Sequence, residues 1–363
     1  MFKHEDLTIT PIATGVKEGD ILLEVNLARL SSGELFVTYT SGGTWEPCNE
    51  NKTFFVKSSD NGKSWSEREI LFQHPKKGVF TPELFTDGNR LYAFLNTYNE
   101  ETLHAQNVDT FYSYSDDNGK TFTSPASLPG GIKAVHIKQA TRLDSGRLIL
   151  SCSWMETDGE CWASPFGDRP CIVAGKEIER KQTDVHEWWW SNNCEYCGCL
   201  ISDDNGETFR LCGRIGVKGK RYVEPVFVRL KNGALCMLIR TGQTLLAKSL
   251  SFDEGESWSD PEMTDIPTAV SKTLLLQDKN GTIYMLHNPN QKCHRDPLEL
   301  WISRDDMASW EKITLLSSEP EAFGSNTFTY PDGFIDEENK KICFVWENRK
   351  EAFYSEFPID KYL

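Results

Sequence analysis

One octapeptide pattern recurs along this chain and leaves it little freedom of architecture. Ser58-Ser59-Asp60-Asn61-Gly62-Lys63-Ser64-Trp65 is the first copy, and Ser115-Asp116-Asp117-Asn118-Gly119-Lys120-Thr121-Phe122 the second. Ser202-Asp203-Asp204-Asn205-Gly206-Glu207-Thr208-Phe209 and Ser251-Phe252-Asp253-Glu254-Gly255-Glu256-Ser257-Trp258 obey the same rule, Ser-x-Asp-x-Gly-x-Thr/Ser-Trp/Phe. Ser303-Arg304-Asp305-Asp306-Met307-Ala308-Ser309-Trp310 is a worn copy with Met307 in the glycine place. Asp and Asn close a tight turn by side-chain-to-backbone hydrogen bonds, and Gly takes the positive φ. The Ser or Thr hydroxyl ties the turn to its own backbone. The aromatic buries itself and anchors the turn to a sheet. One copy indicates a turn, whereas five copies indicate a repeat architecture.

Each copy follows the same preamble of an apolar strand, a Gly- or Asn-containing turn and a second apolar strand. Glu24 to Leu30, Ser31-Ser32-Gly33 and Glu34 to Tyr39 form the first. Pro82 to Leu95, His136 to Cys152, Val226 to Ile239 and Thr273 to Leu286 repeat it. A third strand leads into each Ser-x-Asp turn and a fourth leaves it, which makes a propeller blade. A sixth unit starts near Phe328, with Asp336-Glu337-Glu338-Asn339 as its turn and no Ser-x-Asp copy. Leu7 to Ile12 is placed to complete its sheet and close the ring. The expectation is an all-β fold: a six-bladed β-propeller of four-stranded antiparallel blades, one domain over residues 1–363. A long insertion, about 156–193, interrupts the third blade. It carries Cys161, Trp162, Cys171, His186 and Trp188-Trp189-Trp190, and a charged stretch from Lys176 to Asp184 that suits a helix. The tryptophans suit either stacking on a sugar face or packing onto the propeller.

Composition narrows the function classes. Aromatics at 12% suit a β-rich fold. A net charge of −15 without any Lys/Arg block argues against a nucleic-acid partner. No apolar run is long enough for a membrane span. The polar start, Met1 to Asp6, lacks the apolar core of a signal peptide. The 11 cysteines are odd in number, and Cys152, Cys212, Cys236 and Cys343 fall in expected strands, which suits free thiols in a reducing compartment. The expected location is cytoplasmic. Cys194, Cys197 and Cys199 offer either a zinc site or buried thiols, with Cys197 and Cys199 on one face of a strand. No phosphate loop, dinucleotide fingerprint or Gly-x-Ser-x-Gly elbow is present, and no cofactor is expected.

Propeller geometry brings the starts of inner strands and the ends of second strands to one face, around one central pocket. The starts are Glu24, Glu83, His136, Glu224 and Lys272. The ends and following loops hold Glu46, Glu50, Asn96, Glu156, Arg240, Asn288, Arg295, Glu347 and Arg349. So many charges in one pocket favour a binding or catalytic site.

With its repeats and this ring of charges the chain resembles the sialidase superfamily, six-bladed propellers with Asp-box repeats. The more specific likeness is in the second half: Glu224-Pro225, Arg240-Thr241-Gly242, Arg295-Asp296-Pro297-Leu298 and Tyr330-Pro331. The resemblance implies Tyr330 as nucleophile, Glu224 as its base, and Arg240 and Arg295 as a clamp for a substrate carboxylate. The first half departs from the family. Where the first arginine of the triad is expected stands Leu23-Glu24-Val25, and Arg349 is a candidate replacement, paired with Glu24. The loop that carries the family's acid/base aspartate reads Gly42 to Asn51 and has no aspartate. Glu46 is the first candidate for that role and Glu50 the second. Glu83, His136 and Trp45 complete the candidate substrate contacts. The implied function is an exo-acting glycoside hydrolase on a terminal acidic sugar, sialic acid or another such as a uronate. The alternatives are a non-catalytic carbohydrate-binding propeller, and a polysaccharide lyase or hydrolase using His136 or a carboxylate pair.

Overall fold

The computed structural model describes residues 1–44, 46, 48–98, 108–157, 171–173, 176–178, 193–217, 220–318 and 327–362; at 155–157, 171–173, 176–178 and 193–194 it describes the backbone alone. Six antiparallel sheets follow one another along the chain as six blades. The first blade, Leu22–Arg29, Leu35–Ser41, Lys52–Ser58 and Glu69–Phe72, pairs its strands in sequence order from the inside out. The third (His136–Arg142, Leu148–Thr157, Asn193–Ser202, Arg210–Ile215) and fourth (Tyr222–Arg229, Leu235–Thr241, Leu245–Ser251, Glu262–Pro267) repeat that order. In the second blade two short pieces, Gly78–Val79 and Glu83–Asp87, share the place of the inner strand beside Arg90–Tyr98. Apolar seams between neighbours form the core. Leu22, Val37 and Tyr39 of blade one, for example, pack with Val345 and Tyr354 of blade six.

The chain's beginning joins its end. Thr8–Thr14 pairs with Glu351–Pro358 and supplies the fourth strand of blade six, as expected. Phe2–Lys3 pairs with Glu311–Ser317 and gives blade five a fifth strand that the sequence did not signal. Ring neighbours are also tied by side chains near the axis. Asp332 of blade six accepts from the Leu27 amide of blade one at 2.8 Å. Gln139 of blade three bonds both backbone groups of Phe227 in blade four, at 3.1 and 2.7 Å.

The Ser-x-Asp turns share one hydrogen-bond set. In the first, Ser58 Oγ donates to Asp60 Oδ1 at 2.7 Å and accepts from the Gly62 amide at 2.8 Å. Asp60 also accepts from the Ser64 amide at 2.9 Å and its hydroxyl at 2.6 Å. The worn copy keeps all of this: the Met307 amide donates to Ser303 Oγ at 2.9 Å, with Met307 at φ 68°. Two successive residues are left-handed in each turn, such as Asn61 at 59° and Gly62 at 81°. Asn is therefore placed for its tolerance of that conformation as well as for its hydrogen bonds.

The stretch from Lys176 to Asp184 that suits a helix does not begin as one, and its residues 179–184 lie outside the described ones. Lys176–Ile178 is a strand paired with Cys171–Val173, so the charged stretch begins as a hairpin. The rest of the insertion, with Cys161, Trp162, His186 and Trp188 to Trp190, lies outside the described residues. Cys197 and Cys199 are buried in one apolar cluster on one face of their strand. Among the described residues no group of three His, Cys, Asp or Glu is placed to hold a metal ion, and no helix is long and apolar enough to cross a membrane.

Candidate active site

The inner strands do not start smoothly. Glu24, Glu224 and Tyr330 sit at φ 51°, 49° and 53°, each beside a register shift where its strand meets the next. Left-handed backbone at a non-glycine costs about 1 kcal/mol or more, and bulges of this kind re-aim a side chain. Three residues of three blades are so held around the axis.

Tyr330 and Glu224 meet. The phenol donates to Glu224 Oε1 at 2.9 Å. Arg240 Nη1 donates to Glu224 Oε2 at 2.6 Å and to the Tyr330 oxygen at 3.0 Å. Glu224 and Arg240 are buried. Burial alone would raise the Glu224 carboxyl, but Arg240, Lys138 and Arg221 outweigh it and hold it well below the usual carboxylate range. Burial and the Glu224 charge push the Tyr330 phenol up, against Arg240 and Arg295. The pair is a neutral phenol beside an ionised acceptor. Arg295 stacks over the Tyr330 ring, 4.9 Å from its centre, and donates to Thr329 Oγ1 at 3.3 Å.

The loop after blade one's second strand brings Glu46 to this site. Its carboxylate lies 3.4 Å from Arg349, and its side chain is 30% exposed. Enclosure by protein raises its pKa, with Arg349 opposing and Glu24 adding to the effect. The expected pairing of Arg349 with Glu24 is corrected: Arg349 faces Glu46, and Glu24 lies 3.5 Å from Lys138. Glu347 does not hold the Arg349 guanidinium either. It accepts from the Arg349 amide and from Thr329 Oγ1, and burial raises it to about 7. Glu50 is exposed in the turn Asn49–Glu50 and does not line the pocket. Trp45 lies outside the described residues.

A small pocket at this site is lined by Glu24, Asn26, Thr81, Glu83, Ile137, Lys138, Lys272 and Tyr330. Lys272 donates to Asn26 Oδ1 at 3.1 Å and to Asp332 Oδ1 at 3.2 Å. Burial raises Glu83 to about 8, helped by Asp332 and opposed by Lys272. His136 does not stand free: Tyr98 Oη lies 2.7 Å from its Nδ1. Burial, and then Lys138, hold His136 neutral, near 3. Asn96 and Asn288 are ties, donating to the carbonyls of Val135 and Phe328, each at 2.9 Å.

Sequence reasoning missed Lys138, Tyr98, Arg221 and Asp332. Lys138 is the extra residue of a bulge between Ile137 and Gln139, and counting only strand starts passed over it. A lysine two residues past a candidate strand start was the available signal. Arg221 pairs with Glu195 at 3.1 Å, behind Arg240 and Glu224.

Comparison with known proteins agrees with this fold. Residues 78–342 match the family described as BNR repeat-like domain. The anhydrosialidase of Macrobdella decora is 28% identical over 120 residues, which are 31% of this chain and 16% of that protein. A Hadza microbial sialidase superposes with a TM-score of 0.70 at 12% identity, covering 94% of this chain and 66% of its own. A Dyadobacter fermentans protein of unknown function gives 0.72 at 15%, covering 98% of this chain and all of its own. The chain thus spans about a sixth of the curated relative it matches and just under two thirds of that sialidase. With its family match over most of its length, the chain belongs to the BNR repeat-like family, and its six-bladed fold is shared with the sialidase it superposes on.

Proposed function

We propose that the protein is a sialidase-like exo-glycoside hydrolase that removes a terminal acidic sugar through a tyrosine nucleophile. The observation that carries this reading is the Tyr330–Glu224 hydrogen bond at 2.9 Å, with Arg240 on both partners. A neutral phenol is a weak nucleophile, and an adjacent carboxylate is what activates it. Tyr330 Oη attacks the anomeric carbon and its proton passes to Glu224. Arg240 and Arg295 stabilise the negative charge that builds on the phenol oxygen as its proton leaves. Glu46, whose raised carboxyl retains a proton more readily than an ordinary glutamate, donates it to the departing oxygen. Water then displaces the tyrosine, Glu46 takes the water's proton, and Glu224 returns its own to the phenolate. Two displacements retain the anomeric configuration. Arg295 and Arg349 are the cations left to meet the substrate's acid group. His136, a base near 3 with Tyr98 already bonded, suits positioning better than proton abstraction.

The test is turnover of aryl glycosides of sialic acids, uronates and neutral sugars by wild type and Tyr330→Phe. An acidic glycoside should be cleaved, and the variant should lose roughly 10³-fold or more in kcat. Near-full turnover by Tyr330→Phe would remove the tyrosine from the mechanism. Binding without turnover of any glycoside would favour a carbohydrate-binding propeller.

A further inference from the structure

The pocket contains three charged or ionisable groups that the proposed chemistry does not use. Glu24, Lys138 and Glu83 come from the inner strands of blades one, three and two and line the same small space. Lys138 and Glu24 have side chains only 15% exposed, and among the described residues their 3.5 Å approach is the one ion pair of either side chain. Among the described residues none of these three side chains makes a hydrogen bond to protein. The neighbouring polar groups of the same pocket are all committed: Lys272 to Asn26 and Asp332, Asn26 to the Pro82 carbonyl at 2.6 Å, and Thr81 to Thr40 at 2.7 Å. Glu24, Lys138 and Glu83 are only partly buried, so water meets their polar atoms until a ligand with matching donors and acceptors replaces it.

We infer that Glu24, Lys138 and Glu83 form a subsite for neighbouring hydroxyl groups of a sugar ring or side arm. The inference rests on the glycosidase reading for its choice of a sugar. The chemistry of the three walls selects the group. A substrate carboxylate placed here would meet Glu24 and Asp332. An ammonium would meet Lys138 and Lys272. An apolar group would leave all three unsatisfied. A hydroxyl both donates and accepts, so one can give its proton to Glu24 while accepting from Lys138. A second hydroxyl can accept from Glu83, which keeps its proton at neutral pH, and donate onward. The sign reversal at Glu24 is thereby explained. Where the family places an arginine for an acid group, this chain places an acceptor with its own lysine, and reads hydroxyls.

Calorimetry decides it, with the methyl glycosides of N-acetylneuraminic acid and glucuronic acid and their monodeoxy analogues as probes. Wild type should bind at least one parent glycoside, and removal of a contacted hydroxyl should weaken binding roughly 10- to 100-fold. Glu83→Leu and Lys138→Met should weaken the parent by a similar factor and level the difference between parent and deoxy probe, while Glu83→Gln stays close to wild type. Equal binding of every deoxy analogue to wild type overturns the subsite without any variant having to fold. So does wild-type discrimination in folded Glu83→Leu, and so does a failure of both parents to bind. Turnover with equal deoxy binding would sink the subsite and leave the hydrolase standing. Hydroxyl-selective binding without turnover would do the reverse.

Discussion

Glu46 and Glu224 are carboxyls of one site driven apart by their surroundings. Arg240, only 2.6 Å away, keeps Glu224 ionised far into acid, whereas Glu46 is enclosed and has only the longer 3.4 Å contact with Arg349. Such a division separates a base from an acid. It predicts how Glu46→Gln behaves. With a poor leaving group, such as a second sugar, kcat/KM should fall roughly 10²- to 10⁴-fold. With a 2,4-dinitrophenyl leaving group, which departs without a proton, the first step should be nearly spared. Equal losses on both substrates would take the acid role away from Glu46. The alkaline limb of the pH profile should also be lost in this variant, since the proton whose loss that limb reports is the one Glu46 donates.

At the scale of the element, the Ser-x-Asp turns do more than end strands. A Cβ on Gly62 would lie 2.2 Å from the Tyr354 ring of blade six, and one on Gly255 would lie 2.6 Å from Ile149 of blade three. On Gly206 it would meet nothing closer than 3.8 Å. All three glycines have positive φ. Gly206→Ala should therefore cost about 1 kcal/mol from the backbone alone. Gly62→Ala adds the overpacking of a blade seam, about 1–3 kcal/mol more. Denaturant midpoints of the two variants check this, and equal shifts would refute the seam contact. These turns are also why the fold was legible in the sequence. Their Ser, Asp and Thr act on their own backbone, so the pattern survives in local residues, even through Met307. Glu224 and Arg240 were legible because each sits at a strand start or end that the turns let one count, whereas Tyr330, in the blade without such a turn, was named through the resemblance alone. Lys138 was not legible, because a bulge is set by pairing across the sheet. Nor was the Arg349–Glu46 pairing, which depends on how one loop folds over a neighbouring blade.

For the whole molecule, carboxyls raised by their surroundings at the axis set a pH dependence of stability. Glu83 and Glu347 are raised from 4.5 to about 8 and about 7. Below 4.5 both are protonated in folded and unfolded chains alike. As pH rises the unfolded chain releases those protons first, so their stabilising contribution drains away and is gone above about 8. The turn aspartates act in the opposite sense: Asp60, lowered from 3.8 to about 2, stabilises the fold above 3.8 and loses that effect as acid brings it toward 2. The melting temperature should peak in mildly acidic solution and fall from there to about pH 8, and Glu83→Gln should flatten that fall. A melting temperature constant over the interval would contradict the raised Glu83 carboxyl.

The ring's seam has a kinetic consequence. Glu224 belongs to the fourth blade and Tyr330 to the last, whose outer strand is Thr8–Thr14 from the beginning of the chain. A growing polypeptide completes Glu224 and Arg240 well before Tyr330, and the last sheet gains its outer strand only when the earliest residues return to it. Recovery of catalysis during refolding should therefore lag behind the gain of β-structure, and would serve as a clock for ring closure itself.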